Sequence, residues 1–167
     1  MKTTKVKTAH RPDSIQTLLA LIAQSYDAKA WHGTNLRGSI RGLTARQAAW
    51  RPSPGRHNIW EIVVHCAYWK YIVRRRILGE KKGSFPLKGS NWFRRDAGLS
   101  EQLWRADIAL LESTHTSMCN AIALLKPLAL SAKPRGSKID NLAIIMGIAS
   151  HDLYHAGQIQ LLKRLAP

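Results

Sequence analysis

The sequence predicts an all-α protein, a four-helix bundle with long connecting loops. Three observations carry this. Four segments repeat apolar residues at helical spacing, capping residues stand at their starts, and no alternating strand pattern of useful length occurs. At 167 residues the chain has the length of one domain, enough to bury roughly 70% of the surface its unfolded form exposes. Residues 12–167 are assigned to that domain and residues 1–11 to a basic, flexible tail.

The first helix should begin at Ser14, with Asp13 as N-cap and Gln16 as its reciprocal partner. Ile15, Leu18, Leu19, Ile22 and Tyr26 follow on one face, and Gly33 marks the expected stop. The glycines and prolines between Asn35 and Gly55 read as a connection, with one short helical turn starting at Thr44, which has capping-box spacing to Gln47. In the second long helix Asn58 caps, Glu61 reaches back, one broad face runs from Ile59 to Ile77, and Gly79 stops it. Residues 80–98 form a Lys/Gly/Ser-rich loop. A third helix runs from Ser100 to the Lys126-Pro127 break, and a fourth from about Asp140 to Leu165. Such helices close most economically as a bundle, and the loops at 33–57 and 80–99 are long enough to fold over one end as the wall of a site.

Composition narrows the class. With 45% hydrophobic and 22% charged residues, wholesale disorder is excluded. No uninterrupted apolar run reaches the roughly 18 residues of a membrane span, and the basic N-terminus lacks the apolar core of a secretory signal. Cys66 and Cys119 both lie in apolar helical patterns, as expected of reduced core thiols in a cytoplasmic protein. Charge is the extreme value: 26 Lys and Arg against 10 Asp and Glu, a formal +16. Nine basic residues fall between Lys70 and Arg95, with Glu80 the single acid. Such a field attracts nucleic acid, anionic lipid or an acidic small molecule without choosing among them. No helix-turn-helix, zinc-finger or RNA-recognition signature accompanies it, so a solvated basic helix end is the simpler reading.

Three of the seven histidines stand out by position. His151 and His155, at i and i+4, share one helical face about 6 Å apart, on a stripe with Ile144, Ile148, Ile159 and Leu162. His65 lies midway along the second helix between Ile62 and Trp69. Three imidazoles entering one core can ligate a divalent metal and leave a coordination position open, as catalytic sites do. Spacing alone leaves the alternative standing, that each is a core histidine satisfied by a hydrogen bond. Asp152 points about 100° away from His151 on the helix and reads as a surface acid, and Glu61 is explained by its capping role.

The segments Gly55-Arg56-His57-Asn58-Ile59-Trp60-Glu61-Ile62-Val63-Val64-His65 and His151-Asp152-Leu153-Tyr154-His155-Ala156-Gly157-Gln158-Ile159 resemble the two signature helices of the DinB/YfiT-like superfamily. Trp31-His32-Gly33, Gly42-Leu43-Thr44 and Trp50-Arg51-Pro52 are similar to the upstream part of that pattern. The resemblance implies a four-helix bundle with one divalent ion, often zinc or nickel, held by residues that correspond to His65, His151 and His155. It also implies frequent dimerisation, and relatives that include thiol-dependent transferases and isomerases using low-molecular-weight thiols, together with hydrolase-like members. A water or thiol would then occupy the open position, with His32 and Gln158 as further candidates beside it. The basic 70–95 segment departs from the family pattern and leaves the substrate class open. Three functions follow as expectations: a metal-dependent transferase or hydrolase acting on a small, acidic molecule; a nucleic-acid-binding protein; or a non-catalytic interaction bundle.

Overall fold

The computed structural model describes residues 13–81 and 83–167; the basic tail expected at 1–11 lies outside the described residues. Among the described residues the chain is all helical: α1 Ser14–Tyr26, α2 Leu36–Ile40, α3 Ala45–Ala49, α4 Ile59–Leu78, α5 Glu101–Ala123, a 3-10 turn Pro127–Ser131, and α6 Asn141–Leu165. The four long helices form the bundle, with α4 packed along α5 and α6, and α1 along α6 and α5.

Helix starts lie where capping chemistry puts them. Asp13, Asn58, Ser100 and Asp140 each accept a hydrogen bond from a first-turn amide. The Thr44–Gln47 capping box closes on both sides at the start of α3. Gln16 makes no reciprocal bond to Asp13, whose carboxylate takes the Ile15 amide instead. Gly79 ends α4 at φ +67°, a left-handed conformation that costs a glycine nothing.

Two helix ends come earlier than the sequence suggests. α1 stops at Tyr26, not near Gly33. The Ala28 carbonyl, which a continuing helix would need, accepts from the Asn35 side chain at 2.8 Å, and Tyr26 is the last residue buried in the core. The same Asn35 caps α2 through the Gly38 amide, a second short helix in the connection beside the one at Thr44 that the sequence predicts. α5 likewise stops at Ala123, because Leu124 has no surface to bury against and stands 81% exposed.

The apolar interior falls into two clusters. One surrounds Trp60, Val63, Trp104, Leu111 and Ile159; the other surrounds Ile15, Ile22, Met118, Ile122 and Ile145. Full burial of each aliphatic chain contributes roughly 1.5–3 kcal/mol. Along both α4 and α6, buried polar residues fall between the clusters: Lys70 between Ala67 and Val73, and Asp152 and His155 between Ala149 and Ile159. The loop at 80–99 is pinned over this region by Arg95. Its guanidinium bonds Asp107 of α5 at 2.7 Å, its amide bonds the Glu61 carboxylate, and its carbonyl takes the Asn58 side chain.

Candidate metal centre

α4 and α6 run antiparallel, which brings the middle of each to the same level. His65 from α4 meets His151 and His155, one turn apart on α6. The His65 and His151 Nε2 atoms lie 3.0 Å apart, and those of His155 and His151 3.1 Å apart. The spacing and order of the three histidines in the sequence thus translate into three converging nitrogens.

Their protons face the other way. The His65 Nδ1–H donates to the Asn91 carbonyl at 2.8 Å, since a carbonyl can only accept. The His155 Nδ1–H donates to the Gln158 Oε1 at 2.7 Å, while the Gln158 amide donates to the Tyr154 hydroxyl. Both Nε2 atoms therefore present lone pairs to the centre. His151 has one proton to offer if neutral, so it can satisfy at most one of its two neighbours, and its own Nδ1 is buried with no partner. Protonation does not resolve this. Burial, with the charge on neighbouring imidazoles, pushes His151 down to about 3 and His155 down to about 4, and burial lowers His65 as well. Lone pair set against lone pair is relieved by a cation, and nitrogens this close can share an ion with bonds of about 2.0–2.1 Å. The outward hydrogen bonds are the kind that orient ligating imidazoles.

A second group, Cys66, His151 and Asp152, also comes together but suits an ion less well. Burial drives the Cys66 thiol well above its ordinary range, which disfavours the thiolate a metal needs. Asp152 is already paired with Lys70, both fully buried. Here the sequence reading is corrected: Asp152 is an interior acid. Its 100° offset from His151 leads to another buried face, because α6 packs against both α1 and α4.

The loop supplies the wall. Asn91 adopts φ 65°, the left-handed region that asparagine tolerates better than most residues, and its side chain is held by the Trp69 indole at 2.9 Å. Trp92 stacks on the His65 ring at 3.9 Å, and His57 stacks on Trp92 at 3.6 Å. Beneath His57, Glu61 is 3% exposed and gathers Arg51, His57 and the Arg95 amide. Burial works to raise the Glu61 carboxyl, but hydrogen bonds from Arg51 and His57 outweigh it and hold the group low. Glu61 thus anchors the wall instead of serving as a reciprocal cap. Of the two further candidates, Gln158 sits in the cluster as the acceptor that orients His155. His32 lies exposed in the turn after α1, in no hydrogen bond or ring contact with the three histidines.

The basic segment is partly absorbed into the structure. Lys70 is buried against Asp152, Arg95 holds Asp107, and Arg74 and Arg94 pair with Glu80 and Asp96. No helix among the described residues is long and apolar enough to cross a membrane.

Fold and cluster together define an all-helical bundle with a buried three-imidazole pocket suited to a cation. The family model of the DinB superfamily matches residues 29–159, and the chain belongs to that superfamily. Neither the curated proteins nor the solved structures compared with the chain include a match.

Proposed function

We propose that the chain is a metal-dependent enzyme of thiol-transferase or hydrolase type, with His65, His151 and His155 as ligands of one divalent ion. One observation carries the reading: three Nε2 atoms converge while the protons of two rings are held outward by Asn91 and Gln158. The bound ion, zinc or nickel, supplies Lewis acidity that brings a water or thiol toward its anionic form near neutral pH. Three protein ligands leave room for that group, which favours catalysis over a closed structural site. The chain's own residues do the positioning. Asn91 and Gln158 fix the tautomers of His65 and His155, Trp92 covers one face of His65, and Trp69 holds the Asn91 loop. The chain's formal net charge of +16 suits an acidic substrate or thiol cofactor.

The test is elemental analysis of protein purified without a histidine tag. A single divalent ion per chain is expected, with loss of that ion in His151→Ala. Unchanged stoichiometry in the variant would overturn the ligand assignment.

A further inference from the structure

Beside the metal centre the seam between α4 and α6 opens into an apolar groove of about 150 Å³. His151 borders one end, and Arg76 and Ile139 the other. Trp69 and Val73 form one wall, and Ile144, Gly147 and Ile148 the opposite one. Arg76 follows Trp69 by seven positions along α4, a span of about 10 Å at helical rise.

The space is kept open by sequence. Gly147 sits mid-helix, one turn before His151, at an interior position where glycine is disfavoured. A Cβ there would meet nothing within 4 Å, so no packing constraint demands the glycine. What the missing side chain does is leave the groove clear next to His151.

The far end is positively charged. Arg76 lines both the groove and a neighbouring cavity of about 540 Å³ that Arg75, Lys81 and Arg135 also border. Glu80, the acid of that cavity, is taken up by Arg74 and Arg75. Asp140, next to Ile139, directs its carboxylate to the Ala143 amide as a helix cap. Arg76 and Arg135 are in no ion pair among the described residues.

We propose that the groove holds the body of the substrate: a small molecule whose apolar chain joins a metal-directed group at His151 to a terminal oxyanion, carboxylate or phosphate, at Arg76. The inference rests on the metal reading above and adds a substrate class to it. The apolar walls recognise the chain by removing its surface from water, and the guanidinium recognises the oxyanion by charge-assisted hydrogen bonds. A substrate of this kind accounts for an empty glycine position near His151 and an unpaired arginine at the other end of the groove.

The test uses cobalt(II)-loaded protein, in which thiolate binding is read from the sulfur-to-cobalt charge-transfer band. Four thiols serve as probes: 2-mercaptoethanol, 8-mercaptooctan-1-ol, 8-mercaptooctanoate and 8-mercaptooctylphosphonate. The two acids are expected to bind about tenfold or more tightly than the alcohol, and the tighter of the two identifies carboxylate or phosphate as the preferred end. Arg76→Gln, a surface change, should abolish the preference for acids. Gly147→Leu should weaken all three octyl thiols by about tenfold while leaving cobalt content and 2-mercaptoethanol affinity as they were. Equal affinity for acid and alcohol, or octyl-thiol binding indifferent to Gly147→Leu, would overturn the proposal. Calorimetric titration of ion-free protein and the same variants with octylphosphonate reads the groove alone. Absent cobalt binding with intact, variant-sensitive octylphosphonate binding places the failure in the metal reading; cobalt and 2-mercaptoethanol binding without any chain or charge preference places it in the groove.

Discussion

Two polar insertions interrupt the apolar seam between α4 and α6, and they meet burial in opposite ways. Lys70 and Asp152 form a pair of opposite charge, fully buried, with the Lys70 ammonium 5.0 Å from the Tyr26 ring centre as a second contact. The three histidines, a turn away, put like against like: lone pairs meet, and no proton available near neutral pH reconciles them. The first insertion balances its charge from within the chain. In the second, His151 can satisfy at most one of its two neighbours from within the chain, and the group is one that could hold a metal ion. A buried polar cluster that its own residues cannot satisfy is thus a stronger pointer to a ligand than burial or charge alone.

Removing one member of each insertion should show the contrast most sharply. Lys70→Ala or Asp152→Ala alone leaves a buried charge without its partner and is expected to cost about 3–5 kcal/mol in urea unfolding. The double replacement Lys70→Met with Asp152→Leu should recover much of that loss, because an apolar pair of similar size needs no partner. If the single variants unfold at the wild-type midpoint, the pair is solvated and the comparison fails.

The histidine cluster should respond instead to added ion. Zinc or nickel at a hundred times its dissociation constant is expected to stabilise the wild type by about 2.7 kcal/mol, read as a rise in thermal midpoint. Chelation should reverse the gain, and His151→Ala should show none.

Orientation of the imidazoles comes next in size. Gln158→Leu removes the acceptor from the His155 Nδ1–H and is expected to weaken metal binding about 10–100-fold with all three histidines present. Competition with a chromophoric chelator measures it. Wild-type affinity in this variant would mean that the hydrogen bond does not orient the ring.

The pH dependence of the ion-free protein reads the burial of the rings themselves. His151 and His155 titrate at about 3 and about 4 in the folded chain, against an ordinary value of 6.5. Between about pH 6.5 and 4 the unfolded state therefore binds more protons, and stability falls on acidification, by up to about 1.4 kcal/mol per pH unit for each histidine. His115, stacked on Tyr26 and pushed by burial to about 3, adds to the same slope. Urea midpoints across this window check it, and a flat profile would mean that the rings are solvated.

Much of the scaffold is legible in the sequence because helix starts are local. Asp13, Thr44, Asn58, Ser100 and Asp140 bond amides two or three residues away. The early end of α1 depends on Asn35 reaching Ala28 through a fold of the chain, which periodicity does not encode. The three histidines are legible by spacing and family resemblance, but their convergence depends on the register between α4 and α6. Asn91 and Trp92 escape a sequence reading because a loop residue offers no period, and the Asn91 contact with His65 is a backbone carbonyl. The one local signal is an Asn-Trp step inside a Gly/Ser-rich segment, with asparagine suited to positive φ. Glu61 reads as a cap in the sequence because Arg51 and Arg95, which claim its carboxylate together with His57, come from outside α4.

The cover over the histidines comes from a stretch without regular secondary structure, fastened to the bundle at Asn91 and Arg95. The converging nitrogens and the rings that cover them thus belong to separate parts of the chain. Insertions or exchanges between the two fastenings and the helix ends can recast that cover without repacking the helices, which leaves the placement of the three imidazoles unchanged.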